Sequence, residues 1–377
     1  MRAAVYYGKE DLRIEDAPEP AAGVGMVVVR VAYAGICGSD LHFYYSPETS
    51  RLDFARPHPL TGARAPQILG HEFAGVVAEV GEGVDHVVIG DAVTVWPVYY
   101  CGTCAACASG RFNACRTVAF HGCSSDGGGL AEYTAVPADR VVKLPPGVDL
   151  VKGALVEPMA VSWHAVAQAG VEPGVGALVL GAGPIGIGAA LALRARGVSP
   201  VLLAEPSRHR AVVAARLADI VVIDPSDDLA VAVAAETRGR GVDVVIEASG
   251  SGQAVLGGLD VLNPGGRLVV VAAHQRPLEL SLPRLVWSER RLIGSLAHVR
   301  RDYDEVLGAM ASGRYDELDW VSVRPLEGLI EALHELRRGE RTKILIEIAG
   351  KNPESVDMYP KMDTVSGVTY DTPERRP

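Results

Sequence analysis

Through the first 150 residues the apolar positions come in short β-branched runs, 26–31, 75–80 and 91–95, separated by Gly, Pro and Asp. That texture predicts short antiparallel strands in a barrel or sandwich. After Pro158 the pattern changes, and apolar runs at 177–180, 201–204, 220–223, 242–247 and 267–271 alternate with stretches of helical period. Such alternation predicts βαβ units and a parallel sheet, so the fold class is α/β with an antiparallel β domain in front. Beyond about residue 296 the helical period dominates, at 303–312 and 326–338, before a closing strand at 343–348. Residues 351–377 carry four prolines and little apolar periodicity. They read as a loose tail, or as an arm that packs on a neighbouring subunit.

Composition narrows the class. At 377 residues, 48% hydrophobic and 22% charged, the chain is globular, with two or perhaps three domains. A net charge of -10 argues against nucleic acid, because phosphate-backbone binding uses clustered Lys and Arg. The N-terminus turns charged at Lys9 and Glu10 before any signal-peptide core forms, so a cytoplasmic protein is expected. Residues 174–193 are uncharged and nearly long enough to span a bilayer. Five glycines after Val175 and Pro184 make them a strand, a Gly-rich turn and a helix start instead, with no membrane partner.

Candidate chemistry lies at three places. Leu178-Val179-Leu180 runs into Gly181-Ala182-Gly183-Pro184-Ile185-Gly186 and then a Gly/Ala-rich helix to about Arg196, and Glu205 closes the next strand. Strand, glycine turn, helix and following acid are the context of a dinucleotide site. Gly181 allows the turn, Gly183 lets the backbone approach a pyrophosphate, and Gly186 lets the helix sit close to the sheet. Glu205 would accept ribose hydroxyls and repel a 2′-phosphate, which favours NAD; Arg208 and Arg210 follow it and are candidate phosphate contacts or solvated charges. Second, Cys101, Cys104, Cys107 and Cys115 stand two, two and seven residues apart. Four sulfurs in so short a span can close a tetrahedron around a structural Zn²⁺, with iron–sulfur or redox chemistry as the alternatives. Third, Cys37-Gly38-Ser39-Asp40-Leu41-His42 and Gly70-His71-Glu72 share the β domain, and Glu157 stands at the domain junction. Cys37, His71 and either Glu72 or Glu157 would make a three-ligand zinc site with one open position. A metal there would acidify an alcohol hydroxyl, as hydride loss from carbon requires. Ser39 can take that proton and His42 pass it towards solvent.

Taken together, these motifs resemble the zinc-containing medium-chain alcohol dehydrogenases over residues 1–350. His58-Pro59-Leu60-Thr61-Gly62, the run from Ala65 to Glu72, and Asp126-Gly127-Gly128-Gly129 are most similar to the polyol branch, in particular the (R,R)-butanediol dehydrogenases. The resemblance implies a GroES-like catalytic domain over 1–157, completed by 298–350, and a Rossmann NAD-binding domain over 158–297. It also implies two Zn²⁺ per chain, a Ser39–His42 proton relay, a homodimer or homotetramer, and a small alcohol or ketone as substrate. In the alcohol dehydrogenases proper a second cysteine stands where Glu157 stands here, so the third ligand is expected to be a carboxylate. The tail after Gly350 has no counterpart in the branch.

The expected reaction is reversible oxidation of a small secondary alcohol or vicinal diol of the 2,3-butanediol/acetoin kind. Sorbitol, xylitol or L-threonine are the alternative substrates, and an inactive NAD-binding protein of the same fold is the alternative class. Among other residues, His164 reads as a satisfied core or interface histidine, Cys123 as a small buried filler, and His121 as a core residue or a substrate contact. Asp40 reads as a helix cap or as a group orienting the relay.

Overall fold

The computed structural model describes residues 1–50, 52–225 and 228–348; the tail expected over 351–377 lies outside them. Among these residues two large sheets organise the chain. The first has the order Val141–Lys143, Ala92–Val95, Glu72–Val80, Met26–Gly35, Lys343–Glu347, Val321–Pro325, with Tyr133–Pro137 also paired to Met26–Gly35. Lys343–Glu347 runs antiparallel to Met26–Gly35, with Leu345 opposite Gly35 and Ile346 opposite Ala34. The late strand therefore completes the early domain. The helix Leu329–Arg338 adds Leu329, Ala332, Leu333 and Leu336 to the core that holds Val27 and Ile344. Their spacing of three, one and three residues is one apolar face of a helix.

The second sheet has six parallel strands in the order Ile220–Ile223, Val201–Ala204, Ala177–Leu180, Val242–Glu247, Leu262–Val270, Arg291–Gly294. Counting from Ala177–Leu180 this is 3-2-1-4-5-6, the doubly wound order, whose switch point lies beside the first strand. Every residue of Ala177–Leu180 and Val201–Ala204 is buried, because helices cover both faces of such a sheet. The uncharged stretch 174–193 resolves into the first of these strands, the glycine turn and the helix Pro184–Ala195. Among the described residues no helix is long and apolar enough to cross a membrane.

One helix, Leu150–Ala169, joins the two halves. Asp149 caps it by accepting the Lys152 N–H at 2.8 Å, and Gly170, in the left-handed conformation, ends it. The expected domain boundary at 157/158 falls in its middle. A proline inside a helix, here Pro158, forfeits a backbone bond. Here the surrounding packing outweighs that loss: Leu155, Val156, Met159 and Ala160 belong to one hydrophobic cluster that continues into Val179, Ile187 and Tyr303. The helix is shared by both domains, and it delivers Glu157 to their junction.

Candidate active site

The strand Met26–Gly35 runs through Ile36 to Cys37, which is the N-cap of the helix Gly38–Tyr45. The Cys37 N–H donates to Asp40 Oδ2 at 2.9 Å, so Asp40 does cap this helix. In the neighbouring strand Glu72 stands opposite Gly35. This register gathers one ligand atom each from Cys37, His71 and Glu72 within 4.8 Å of one another. His71 and Glu72 are buried and Cys37 is half-buried. Ser39 Oγ lies 3.4 Å from His71 Nε2. The other ring nitrogen, Nδ1, faces Cys123 Sγ at 3.1 Å and Asp40 Oδ1 at 3.8 Å. Burial pushes the Cys123 thiol up to about 11, so it stands beside the ring as a neutral thiol. Holding one nitrogen fixes the ring so that the other is free to ligate. Cys123, expected to be a filler, therefore touches the site.

The two glutamates differ in their partners. Glu72 Oε2 pairs with Lys343 Nζ, which also donates to the Ile36 carbonyl at 2.8 Å; both side chains are buried. A side chain at position 35 would collide with the Glu72 carboxylate and Lys343, which explains the glycine there. Glu157 lies outside the 4.8 Å set and meets His298 Nε2 at 3.2 Å. Burial works against the charge on Glu157, but the hydrogen bond from His298 helps to hold the carboxyl below its usual range. His42 is on the same helix as Ser39, half-exposed, and its Nδ1 lies 3.3 Å from Gln275 Nε2 of the other domain.

In the cysteine lobe the sulfurs of Cys101–Cys107, Cys104–Cys107, Cys104–Cys115 and Cys101–Cys115 are 4.0, 3.5, 3.9 and 3.5 Å apart. Zinc–sulfur bonds of about 2.3 Å in a tetrahedron put neighbouring sulfurs about 3.8 Å apart. The observed distances bracket that value, and all four cysteines are free thiols. The same lobe carries Asn113, whose Nδ2 donates to the Leu296 carbonyl at 2.6 Å and lies 3.2 Å from His164 Nε2. His164 Nδ1 meets Asp302 Oδ2 at 2.7 Å, so this histidine is satisfied within the core.

At the glycine turn Gly181 has a φ of 98°, in the left-handed region, and a side chain at Gly186 would collide with the Gly181 carbonyl. Nothing lies within 4 Å of where a Gly183 side chain would stand, which leaves that approach open. Gly183 is the N-cap and Pro184 the first residue of the helix, so Ile185 and Gly186 fall in its first turn. Glu205 is buried and accepts the Ala182 N–H at 2.7 Å and the Ser207 N–H at 2.8 Å. Its carboxylate braces the turn and keeps lone pairs for hydroxyl donors. Arg210, one turn into the next helix, lies against Gly339. Glu247, not singled out in the sequence, ends the fourth strand fully buried. Its Oε1 accepts Ser249 N–H, Ser249 Oγ–H and Gly250 N–H, and its Oε2 meets His274. His121, a candidate substrate contact, is enclosed instead: it is 0% exposed and bonded to Thr134, Tyr99 and Ser125, and burial lowers its pKa to about 3.

Lys343, Cys123 and His298 thus touch Glu72, His71 and Glu157, and Asn113 holds the Leu296 carbonyl, without any of them having been marked by spacing. Each is a lone residue whose role comes from long-range contacts; the one readable oddity was a lysine opening an otherwise apolar last strand.

Comparison with known proteins agrees with this architecture. Residues 23–146 match the alcohol dehydrogenase GroES-like domain, and residues 184–312 match the zinc-binding dehydrogenase family. The 2-dehydro-3-deoxy-L-galactonate 5-dehydrogenase of Pseudoalteromonas atlantica is 35% identical over 86% of this chain and 92% of its own length. The (R,R)-butanediol dehydrogenase of Bacillus subtilis is 36% identical over 88% of this chain and 94% of its own. The crystal structure of 2R,3R-butanediol dehydrogenase from Bacillus subtilis superposes with a TM-score of 0.84 at 34% identity, covering 92% of this chain and 99% of that one. With both domains matched and both metal-type clusters assembled, the chain belongs to the zinc-binding, medium-chain alcohol dehydrogenase family and is an oxidoreductase.

Proposed function

We propose that the chain oxidises a small secondary alcohol or vicinal diol with NAD, reversibly, with 2,3-butanediol and acetoin as the substrate type. The observation that carries this reading is the joint placement of Cys37, His71 and Glu72 within 4.8 Å, with Ser39 Oγ 3.4 Å from the His71 ring. Soft sulfur, imidazole and carboxylate suit zinc and leave a fourth position for substrate. Bound zinc would supply Lewis acidity there, and NAD at the Gly181–Gly186 turn the hydride acceptor. Cys37, His71 and Glu72 hold the metal; Ser39 orients the hydroxyl and takes its proton, and His42 passes it to solvent. Lys343 holds the Glu72 side chain in place, while Glu157 stands beside the substrate rather than on the metal. Glu205 receives the adenosine ribose hydroxyls and disfavours a 2′-phosphate, and Arg210, in the helix that follows it, is a further cofactor contact. Cys101, Cys104, Cys107 and Cys115 hold a second, structural zinc.

The reading extends to a cytoplasmic homodimer or homotetramer. Leu282, Val286 and Trp287 are 65, 69 and 86% exposed next to the edge strand Arg291–Gly294, which suits a self-association face. Two relatives named (R,R)-butanediol dehydrogenase support the substrate type, and five named D-xylulose reductase A or probable D-xylulose reductase A keep larger polyols in view. A panel of 2,3-butanediol stereoisomers, sorbitol, xylitol and L-threonine, with NAD and NADP at alkaline pH, tests this. One butanediol isomer with NAD should give the highest kcat/KM, and Ser39→Ala should lower its single-turnover rate roughly a hundredfold or more. A higher kcat/KM with sorbitol, xylitol or threonine would reassign the substrate; a higher value with NADP would reassign the coenzyme.

A further inference from the structure

We propose that His298, seated on Glu157, recognises the second hydroxyl of a vicinal diol and so sets the preference for diols over simple alcohols. This rests on the alcohol-oxidation reading above.

His298 is 0% exposed and Glu157 5%. The ring meets Glu157 Oε1 through Nε2 at 3.2 Å, and its Nδ1 has no partner. A fully buried polar atom left unpaired is destabilising and uncommon in a native core, and it calls for an occupant. With the Nε2 hydrogen donated to Glu157, the neutral ring presents Nδ1 as an acceptor, and a hydroxyl is the donor it fits. The two ring nitrogens point to opposite sides of the ring, so a hydroxyl on Nδ1 stands across it from Glu157, which holds the ring in place through Nε2.

The backbone around His298 is held in an uncommon shape. Ala297 has a φ of 45°, in the left-handed region that non-glycine residues rarely occupy. The segment is pinned on either side of it: Leu296 O accepts from Asn113 Nδ2 at 2.6 Å, and the Val299 N–H donates to Asp302 Oδ2 at 2.9 Å. Strained backbone that its surroundings enforce marks functional positions. Residues 295–298 also leave the carboxyl end of the strand Arg291–Gly294, the side of a parallel sheet on which ligands bind. The helix Leu150–Ala169, which carries Glu157, packs against the strand that begins at Glu72, on the β-domain side of the ligand set.

A vicinal diol has one hydroxyl on the carbon that loses hydride and another on the next carbon. The first belongs with Ser39 and the Cys37–His71–Glu72 set; the second needs partners of its own. A mono-alcohol would leave His298 Nδ1 facing an apolar carbon, and sites built to bond a hydroxyl reject analogues that lack it.

The test is the ratio of kcat/KM for the preferred 2,3-butanediol isomer to that for 2-butanol, measured with zinc content and Tm. His298→Gln places an amide where Nε2 stood, keeping a partner for Glu157, but has nothing at Nδ1. The ratio should fall about tenfold or more, with 2-butanol itself changed less than about threefold. His298→Asn, whose amide stands where Nδ1 stood, should keep part of the diol preference. Equal losses on both alcohols, an unchanged ratio in His298→Gln, or a wild type with no preference for the diol would overturn the inference alone. A zinc-loaded wild type that forms no NADH from either alcohol would overturn the reading on which it rests.

Discussion

Two carboxylates, Glu72 and Glu157, stand near one histidine, and their neighbours decide between them. Glu72 shares a buried pocket with Cys37 and His71, whereas Glu157 is engaged by His298. Glu72→Ala should therefore lose the catalytic zinc, and Glu157→Ala should retain it; metal analysis giving the reverse would make Glu157 the ligand. Glu72→Ala also leaves Lys343 buried without its counter-charge, so lower stability is expected as well. His121 makes a separate statement about pH. Burial sets its folded pKa at about 3, well below that of an exposed histidine, near 6.5. The unfolded chain then binds the extra proton first, so stability should fall as pH drops from about 6.5 towards 3 and level off below. His121→Gln should flatten that limb of a denaturation-versus-pH curve, and an unchanged slope would remove His121 as its source. Residue types near Cys37, His71 and Gly181 were legible because metal and phosphate chemistry require them at short spacing. Lys343 and His298 were not, since each reaches the site from more than 140 positions along the chain from its glutamate partner and no local pattern marks a long-range pair.

At the scale of elements, four parallel strands, 177–180, 201–204, 220–223 and 242–247, have the ends their apolar runs indicate. Strands 177–180 and 201–204, buried on both faces, are apolar throughout, which makes their limits sharp. The helix Leu150–Ala169 has no such sharp pattern: Pro158 lies inside it, and tertiary packing outweighs the backbone bond that a proline forfeits. The cysteine lobe shows a second kind of dependence. Its Asn113 holds the Leu296 carbonyl, so the lobe steadies the segment that carries His298. Cys104→Ser should lose the structural zinc, lower Tm, and raise hydrogen exchange at residues 295–299 even while the catalytic zinc remains. If exchange there stayed at the wild-type rate once the lobe's zinc was gone, the lobe would be an independent structural unit.

The whole molecule works by bringing its two sheets to one junction. The β domain holds Cys37, Ser39, His42, His71 and Glu72; the parallel sheet holds the glycine turn and Glu205; and the shared helix sets Glu157 between them. Lys343, on the last described strand, ties the returning chain to Glu72, so the site is complete only when both ends of the chain have folded together. The most direct measurement is NADH formation from 2,3-butanediol by protein as isolated, after chelation, and after zinc is returned, with metal counted at each stage. The expected result is two zinc ions per chain at the start, loss of turnover when the more labile one is removed with the fold intact, and recovery when it is restored. Undiminished turnover by protein whose Cys37–His71–Glu72 site has been emptied would contradict the assignment of this chain's chemistry to that site.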